Sequence, residues 1–302
     1  MGGSFDMFVI GGGVAGMAAA EAAAAAGLRV ALAEANMFGG LVLNVNHLSP
    51  GPAGMPASGS DLSAEMMMRL SDLGVELLFE PVSALRPGAD GRVELDTASG
   101  PRRARHAVLA SGARNRRLGV PGEETFAHRG LSYCADCDGP LFRGKPVMVV
   151  GGGDSALQEA LVLADFCPVV HLVHRGTAFT ARPDLVAAVA AAPAIRVRFG
   201  AEVAALGGDD VLTTVRLREN GAEVAEPCAG VFPFVGLVPN ADLLPAAALD
   251  DAGAVAVDAQ METRIPGVLA VGAVRAGYGG MLTDALADGR AAAARVVARC
   301  AG

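Results

Sequence analysis

The chain has 302 residues, of which 52% are hydrophobic and 19% charged, and its net charge is −8. That length suits two domains of ordinary size with packed cores. The acidic balance argues against a nucleic-acid binder, which presents a basic face, and five cysteines suit a reducing compartment better than a secreted disulfide framework. Met1 to Asp6 carries no basic region ahead of the first apolar segment, so no signal peptide is expected. Asp6 stands where a myristoylation motif wants Ser or Thr. The apolar stretch from Met7 to Leu32 is broken by glycines, Glu21 and Arg29, and it reads as strand, turn, helix and strand, not as a membrane span. A cytoplasmic protein with no membrane partner is expected.

Asp6 to Ile10 is a short apolar strand, followed at once by Gly11-Gly12-Gly13-Val14-Ala15-Gly16. Met17 to Ala26 is nearly all alanine, the best helix former, and Gly27 ends that helix. Leu28 to Ala33 is a second strand with Glu34 at its end. This is a dinucleotide-binding fingerprint in its required context. Gly11 makes the tight turn, Gly13 lets the backbone approach a pyrophosphate, and Gly16 lets helix and strand pack closely. The helix N-terminus holds the phosphate charge, and Glu34, about 20 residues on, can accept a hydrogen bond from a ribose hydroxyl.

Phe38-Gly39-Gly40-Leu41 follows, then a loop to Pro56 rich in Gly, Pro, Asn and Ser. A helix starts around Asp61, shows Leu70 and Leu73 on one face and ends near Gly74; Met66-Met67-Met68 reads as part of its core face. Val75 to Phe79 is a strand, and Val82 to Leu95 alternates like strands with turns at Gly88 and Gly91. Arg102, Arg103 and Arg105 read as a solvated hairpin face. His106 to Leu109 is a buried strand closed by Ala110-Ser111-Gly112-Ala113.

The same grammar restarts at Pro146 to Val150 and Gly151-x-Gly153-x-x-Ala156, with Asp154 and Ser155 inside the turn. A helix over Leu157 to Phe166 and a strand over Val169 to Val173 follow. His174-Arg175 then stands where a ribose or its phosphate would lie. With no acid there, Arg175 favours a 2′-phosphate and hence NADPH over NADH, a purely structural arginine being the alternative. Asp184 to Ala192 reads as a helix, Ile195 to Phe199 as a strand, Val203 to Val224 as a hairpin and Phe232 to Gly236 as a last strand. Val238-Pro239-Asn240 is a linker, after which Ile265 to Ala273 and a helix over Met281 to Val297 return to the first domain. The expected fold is α/β, with two Rossmann-like three-layer domains, 1–113 with 241–302 and, inserted between them, 114–240.

Between the two fingerprints lies Ser132-Tyr133-Cys134-Ala135-Asp136-Cys137-Asp138-Gly139-Pro140. A Cys-x-x-Cys pair can close a small disulfide, and its thiolate is easily stabilised. Beside a nucleotide-binding pattern this points to redox chemistry. Half of a zinc site and a pair of inert thiols are the alternatives. Zinc wants four ligands, Cys167, Cys228 and Cys300 are isolated, and His128 matches no ligand spacing.

Taken together, these residues resemble the low-molecular-weight thioredoxin reductase family. The resemblance runs in order through Gly11 to Gly16, Glu34, Gly39-Gly40, Ser111-Gly112-Ala113, Leu118 to Glu123, Cys134 to Gly139, Gly151 to Ala156, His174-Arg175, Gly236 to Asn240 and Ile265-Pro266-Gly267. It implies FAD in the split domain, held by Gly11, Gly13, Gly16, Glu34, Gly39, Gly40, Gly112 and Gly272. It implies NADPH, with NADH still open, on Gly151, Gly153, Asp154, Ser155, Ala156, His174 and Arg175. It also implies a homodimer and an inserted domain that rotates. By the same analogy Cys137 is the thiol beside the flavin and Cys134 the exposed thiol that exchanges with a thioredoxin-like protein or a small disulfide. Asp138 is the acid–base that protonates the leaving thiolate.

Three places depart from the family pattern. Gly176 and Thr180 stand where two further phosphate-gripping arginines belong, with Arg182 as a stand-in. Ala273 replaces an aspartate that bonds the flavin ribityl chain. Gly279-Gly280-Met281 and Leu41 replace polar contacts at the flavin ring. The expected activity is a disulfide reductase passing electrons from NAD(P)H through FAD to Cys134/Cys137. A dithiol oxidase or a reductase fed by a ferredoxin-type donor is the alternative, and a low-turnover flavin-binding sensor a third.

Overall fold

The computed structural model describes residues 4–45, 48, 58–219 and 221–301. Most of the loop expected up to Pro56 lies outside the described residues. In chain order come β1 Phe5–Ile10, α1 Val14–Ala25, β2 Val30–Ala33, α2 Gly59–Asp72, β3 Glu76–Leu78, β4 Val82–Pro87, β5 Val93–Thr97, β6 Gly100–Leu109 and β7 Ala113–Asn115. Then follow α3 Ala135–Asp138, β8 Val147–Val150, α4 Asp154–Ala164, β9 Val170–His174, α5 Pro183–Ala191 and β10 Ile195–Phe199. The chain continues with β11 Ala201–Gly208, β12 Leu212–Glu219, β13 Ala222–Pro227, β14 Gly230–Pro233 and β15 Leu237–Pro239, and ends with β16 Val268–Ala270 and α6 Leu282–Ala301. Two compact units result: Met1–Arg114 with Val238–Gly302, and Asn115–Leu237.

In the first unit the sheet runs β3-β2-β1-β6-β5-β4, with β16 also on β6. Residues 104–109 of β6 lie parallel to β1, while its N-terminal half pairs antiparallel with β5. Strand alternation divides the core: Met7 and Val9 face α1, α2 and α6, whereas Phe8 and Ile10 face the other side. Alanine makes α1 stable and also thin, and Ala19, Ala20 and Ala23 are fully buried. A Cβ on Gly289 of α6 would run into the Ala15 carbonyl, so the two helices pack backbone against backbone.

In the second unit a parallel sheet, β10-β9-β8-β14, has α4 and α5 on one face. The antiparallel β11-β12-β13 contributes to the core on the other. The three-layer α/β class holds for both units.

Several elements differ from expectation in ways that have causes. Both α1 and α4 begin three residues early, because the last residues of each glycine motif already form the first helical turn. Ser58 caps α2 by accepting the Asp61 N–H at 3.1 Å. Of the three methionines on that helix only Met66 is fully buried, stacked between Leu62 and Leu70 by the i±4 spacing, while Met68 is 67% exposed. The hairpin expected over Val203 to Val224 is a three-stranded meander. Its last strand, β13, is almost wholly exposed and therefore carries no alternating signal. The arginine cluster on β6 is ion-paired, Arg103 with Glu94 at 2.5 Å and Arg105 with Asp6 at 3.7 Å. Among the described residues no helix is long and apolar enough to cross a membrane.

Candidate active site

The turn after β1 is built for close approach. A Cβ on Gly16 would overlap the Gly11 carbonyl, so only glycine lets α1 start against the strand. Beside Gly13 the side is open, the nearest atom being the Gly39 carbonyl oxygen at 3.9 Å from a Cβ placed there. Gly13 caps α1 without a side chain, and the first turn holds no acid. Its N–H groups and positive dipole end thus suit a pyrophosphate. Gly39 donates its N–H to the Gly12 carbonyl at 2.8 Å, which lays the Gly39-Gly40 pair against this turn. Glu34 is fixed at the rim: Oε2 accepts the Gly12 N–H at 2.7 Å and Oε1 the Asn36 N–H at 2.8 Å. Each oxygen keeps a lone pair for a ribose hydroxyl. These residues fit a dinucleotide such as FAD.

The contacts made by two residues of this unit escape the sequence reading. Asn240 clasps the loop after β6: its N–H donates to the Gly112 carbonyl at 3.0 Å, its Nδ2 donates to the Ser111 carbonyl, and its own carbonyl accepts the Ser111 hydroxyl at 2.7 Å. The second is Asp288 of α6, only 4% exposed. Its Oδ2 accepts the Gly272 N–H at 3.0 Å, and the Arg275 guanidinium grips both oxygens at 2.6 and 2.8 Å. A carboxylate thus reaches the Gly272 turn from α6, although Ala273 supplies none. The signal was present: Asp288 is an acid between the buried Ala285 and Ala292 on one helical face.

The second glycine turn follows the same plan. A Cβ on Gly151 would overlap the Phe234 carbonyl, while beside Gly153 the nearest atom is Thr180 Oγ1 at 3.8 Å. Ala156 is fully buried and Ser155 exposed in the first turn of α4. His174 packs beneath Gly152 and lies near the rings of Phe179 and Phe199, which makes it a support of the turn. Arg175 is exposed and has no acidic partner among the described residues. Arg182, expected as a stand-in at a 2′-phosphate, is engaged elsewhere. Its N–H donates to Asp154 Oδ1 at 2.8 Å, and its guanidinium lies 3.1 Å from Asp154 Oδ2 and 3.7 Å from Asp184. That pairing also neutralises the acid in the first turn of α4.

The cysteine pair is closed as a disulfide, Cys134–Cys137, with Cα atoms 5.3 Å apart. Cys134 caps the one-turn helix α3, and its sulfur accepts the Cys137 N–H at 3.2 Å. Ser132, buried, accepts the Cys134 N–H through its hydroxyl at 3.2 Å. Asp138 closes α3 with its N–H on the Cys134 carbonyl. The exposure of the two cysteines is the reverse of expectation: Cys134 is 8% exposed and Cys137 is the open one. The cause is local, since Cys134 sits in the extended segment tucked beside Ser132 and the fully buried Ala135, while the helical turn carries Cys137 outward.

Ala135 donates its N–H to Glu159 Oε2 on α4 at 2.6 Å. Burial, with Asp136 adding to it, outweighs that N–H and pushes the Glu159 carboxyl up to about 7. Glu159 also went unread, although an acid three residues after Ala156 and four before Leu163 interrupts an apolar face. The remaining thiols are kept protonated by burial, which raises Cys167 and Cys300 and pushes Cys228 up to about 12.

Residues 5–292 match the family model for pyridine nucleotide-disulphide oxidoreductases. The chain is 35% identical over 293 residues to thioredoxin reductase of Treponema pallidum, covering 96% of this chain and 95% of that one. Among solved structures, thioredoxin reductase of Lactococcus lactis superposes with a TM-score of 0.93 at 32% identity, covering 98% of this chain and all of the other. Thioredoxin reductase of T. acidophilum superposes with a TM-score of 0.92 at 27% identity, over 99% of each chain.

Proposed function

The chain belongs to the pyridine nucleotide-disulphide oxidoreductase family and is an FAD-dependent NAD(P)H:disulfide oxidoreductase, and on that premise we propose that Cys134/Cys137 is its redox pair and NADPH its preferred donor. The observation that carries this reading is the Cys134–Cys137 disulfide on a turn directly ahead of a second open glycine cradle. We assign FAD to the first unit and the nicotinamide nucleotide to the second.

FAD held in the first cradle would supply the two-electron chemistry that links a nicotinamide hydride to a disulfide. The chain's residues supply the rest. Gly11 to Gly16 and the α1 N-terminus hold the FAD pyrophosphate, and Glu34 and the Gly39-Gly40 loop orient the nucleotide beside it. Gly112 and Gly272, set by Asn240 and Asp288, shape the far side of that cradle. In the second unit Gly151 to Ala156 take the other pyrophosphate and Arg175 the 2′-phosphate, with His174 supporting the turn.

Cys137, the open sulfur, receives the electrons, and Cys134 becomes the nucleophile that exchanges with substrate once the S–S bond is broken. Asp138, next to Cys137, delivers a proton to the thiolate that departs from the substrate disulfide. The substrate is a thioredoxin-like protein or a small disulfide, and the enzyme works as a homodimer in the cytoplasm. The names of the relatives support that substrate class.

Cys137→Ser tests the reading. Disulfide reduction is expected to stop while FAD stays bound, and unchanged turnover would overturn it. One observation favours a second reading. Arg182 is committed to Asp154 and Asp184, which leaves Arg175 alone to grip a 2′-phosphate. A dithiol oxidase or a reductase with a ferredoxin-type donor would need no such grip.

A further inference from the structure

The turn that carries the cysteines rests on a carboxyl that takes no part in thiol exchange. Glu159 projects from the flank of the buried face of α4 and ends on the Ala135 N–H. Ala135 is fully buried and directly follows Cys134, so this one bond fixes the peptide that bears the first sulfur. Of the elements packed against α4, α3 carries Asp136 and Asp138, while the turn Gly139–Phe142 and strand β8 carry no titratable side chain. β9 carries His171 and His174, α5 Asp184, and β10 Arg196 and Arg198. Of all these only Asp136 acts on Glu159, as a like charge.

Resting on the reading of Cys134/Cys137 as the redox pair, we propose that Glu159 is a proton-linked positioning residue: it takes up a proton when the disulfide opens and returns it when the disulfide closes. The balance is simple. Reduction breaks the S–S bond with two electrons from the flavin and two protons. One proton makes a thiol on one cysteine. Cys134, whose sulfur already accepts the Cys137 N–H at 3.2 Å, is held as the thiolate. The second proton goes to Glu159, because a negative sulfur one peptide away raises the affinity of that carboxyl for a proton. The titration range of Glu159, about 7 with the disulfide closed, puts this exchange at working pH.

The test is an equilibrium titration of the holoenzyme with dithiothreitol over a range of pH, reading the oxidised fraction of Cys134/Cys137 by thiol labelling. Wild type is compared with Glu159→Gln, which keeps an acceptor for the Ala135 N–H but cannot ionise. The ratio of the two reduction constants is expected to be flat in mild acid and to fall by about tenfold as pH rises past neutrality, the effect of one nearby like charge in a partly solvated site. Asp136→Asn, in the wild-type background, is expected to move the bend to lower pH, which keeps the test valid if the glutamine variant folds poorly. A ratio independent of pH, with the pair still titrating, would overturn the role of Glu159 alone. A pair that does not equilibrate with dithiothreitol would overturn the redox reading itself.

Discussion

Replacing Asp288 by alanine is the sharpest way to test how the first cradle is held. The Arg275 and Asp288 side chains are 14% and 6% exposed, so the change strands a guanidinium out of water and takes the acceptor from the Gly272 N–H. Arginine cannot shed its charge, and the Asp288 hydrogen bonds hold its pKa above the ordinary value. Removing one partner of such a pair costs roughly 3–5 kcal/mol. For a unit of this size that corresponds to a fall in melting temperature on the order of 10 °C. Thermal unfolding followed by release of flavin fluorescence reads the first unit directly. The double change Arg275→Met with Asp288→Leu removes both charges and is expected to recover most of the loss, leaving about 1 kcal/mol for the unpaired Gly272 N–H. A single variant within about 1 kcal/mol of wild type, or a double variant no better than the single, would refute the account of this pair.

Other outcomes follow from the same geometry. Because the folded Glu159 carboxyl lies above its ordinary value, the folded state holds that proton more tightly than the unfolded chain. Its contribution is therefore fully present below about 4.5 and lost as pH rises through about 7. Glu159→Gln is expected to gain on the order of 2 kcal/mol over wild type above neutrality and nothing in acid, as measured by urea unfolding across pH. Arg175→Ala is expected to raise KM for NADPH roughly tenfold and leave KM for NADH unchanged, the loss of one charge-assisted contact; equal changes for both coenzymes would remove its phosphate role. Val in place of Gly13 should abolish retention of FAD on purification, since the side chain enters the open side of the cradle.

What the sequence disclosed were features written in consecutive residues. The two glycine turns, the acid after β2 and the Cys-x-x-Cys are legible because each answers a local demand of the backbone or of one functional group. β13 was lost because a strand exposed on both sides carries no hydrophobic period. The contacts of Asn240, Asp288 and Glu159 went unread for a different reason. Their partners lie 129, 16 and 24 residues away, so only the folded chain joins Asn240 to Ser111, Asp288 to Gly272 and Glu159 to Ala135. Arg182 is a further case, for its charge suggested a ligand role, and only the folded chain brings Asp154, 28 residues earlier, onto its N–H.

The central claim, that electrons run from a nicotinamide nucleotide through bound FAD to Cys134/Cys137, is tested most directly by anaerobic rapid mixing. The purified yellow protein is mixed with NADPH and, separately, with NADH while the visible flavin band is followed. The account predicts fast bleaching by NADPH and slower bleaching by NADH. Bleaching by neither, with bleaching by a dithiol, would contradict it and give the second unit no working nicotinamide site.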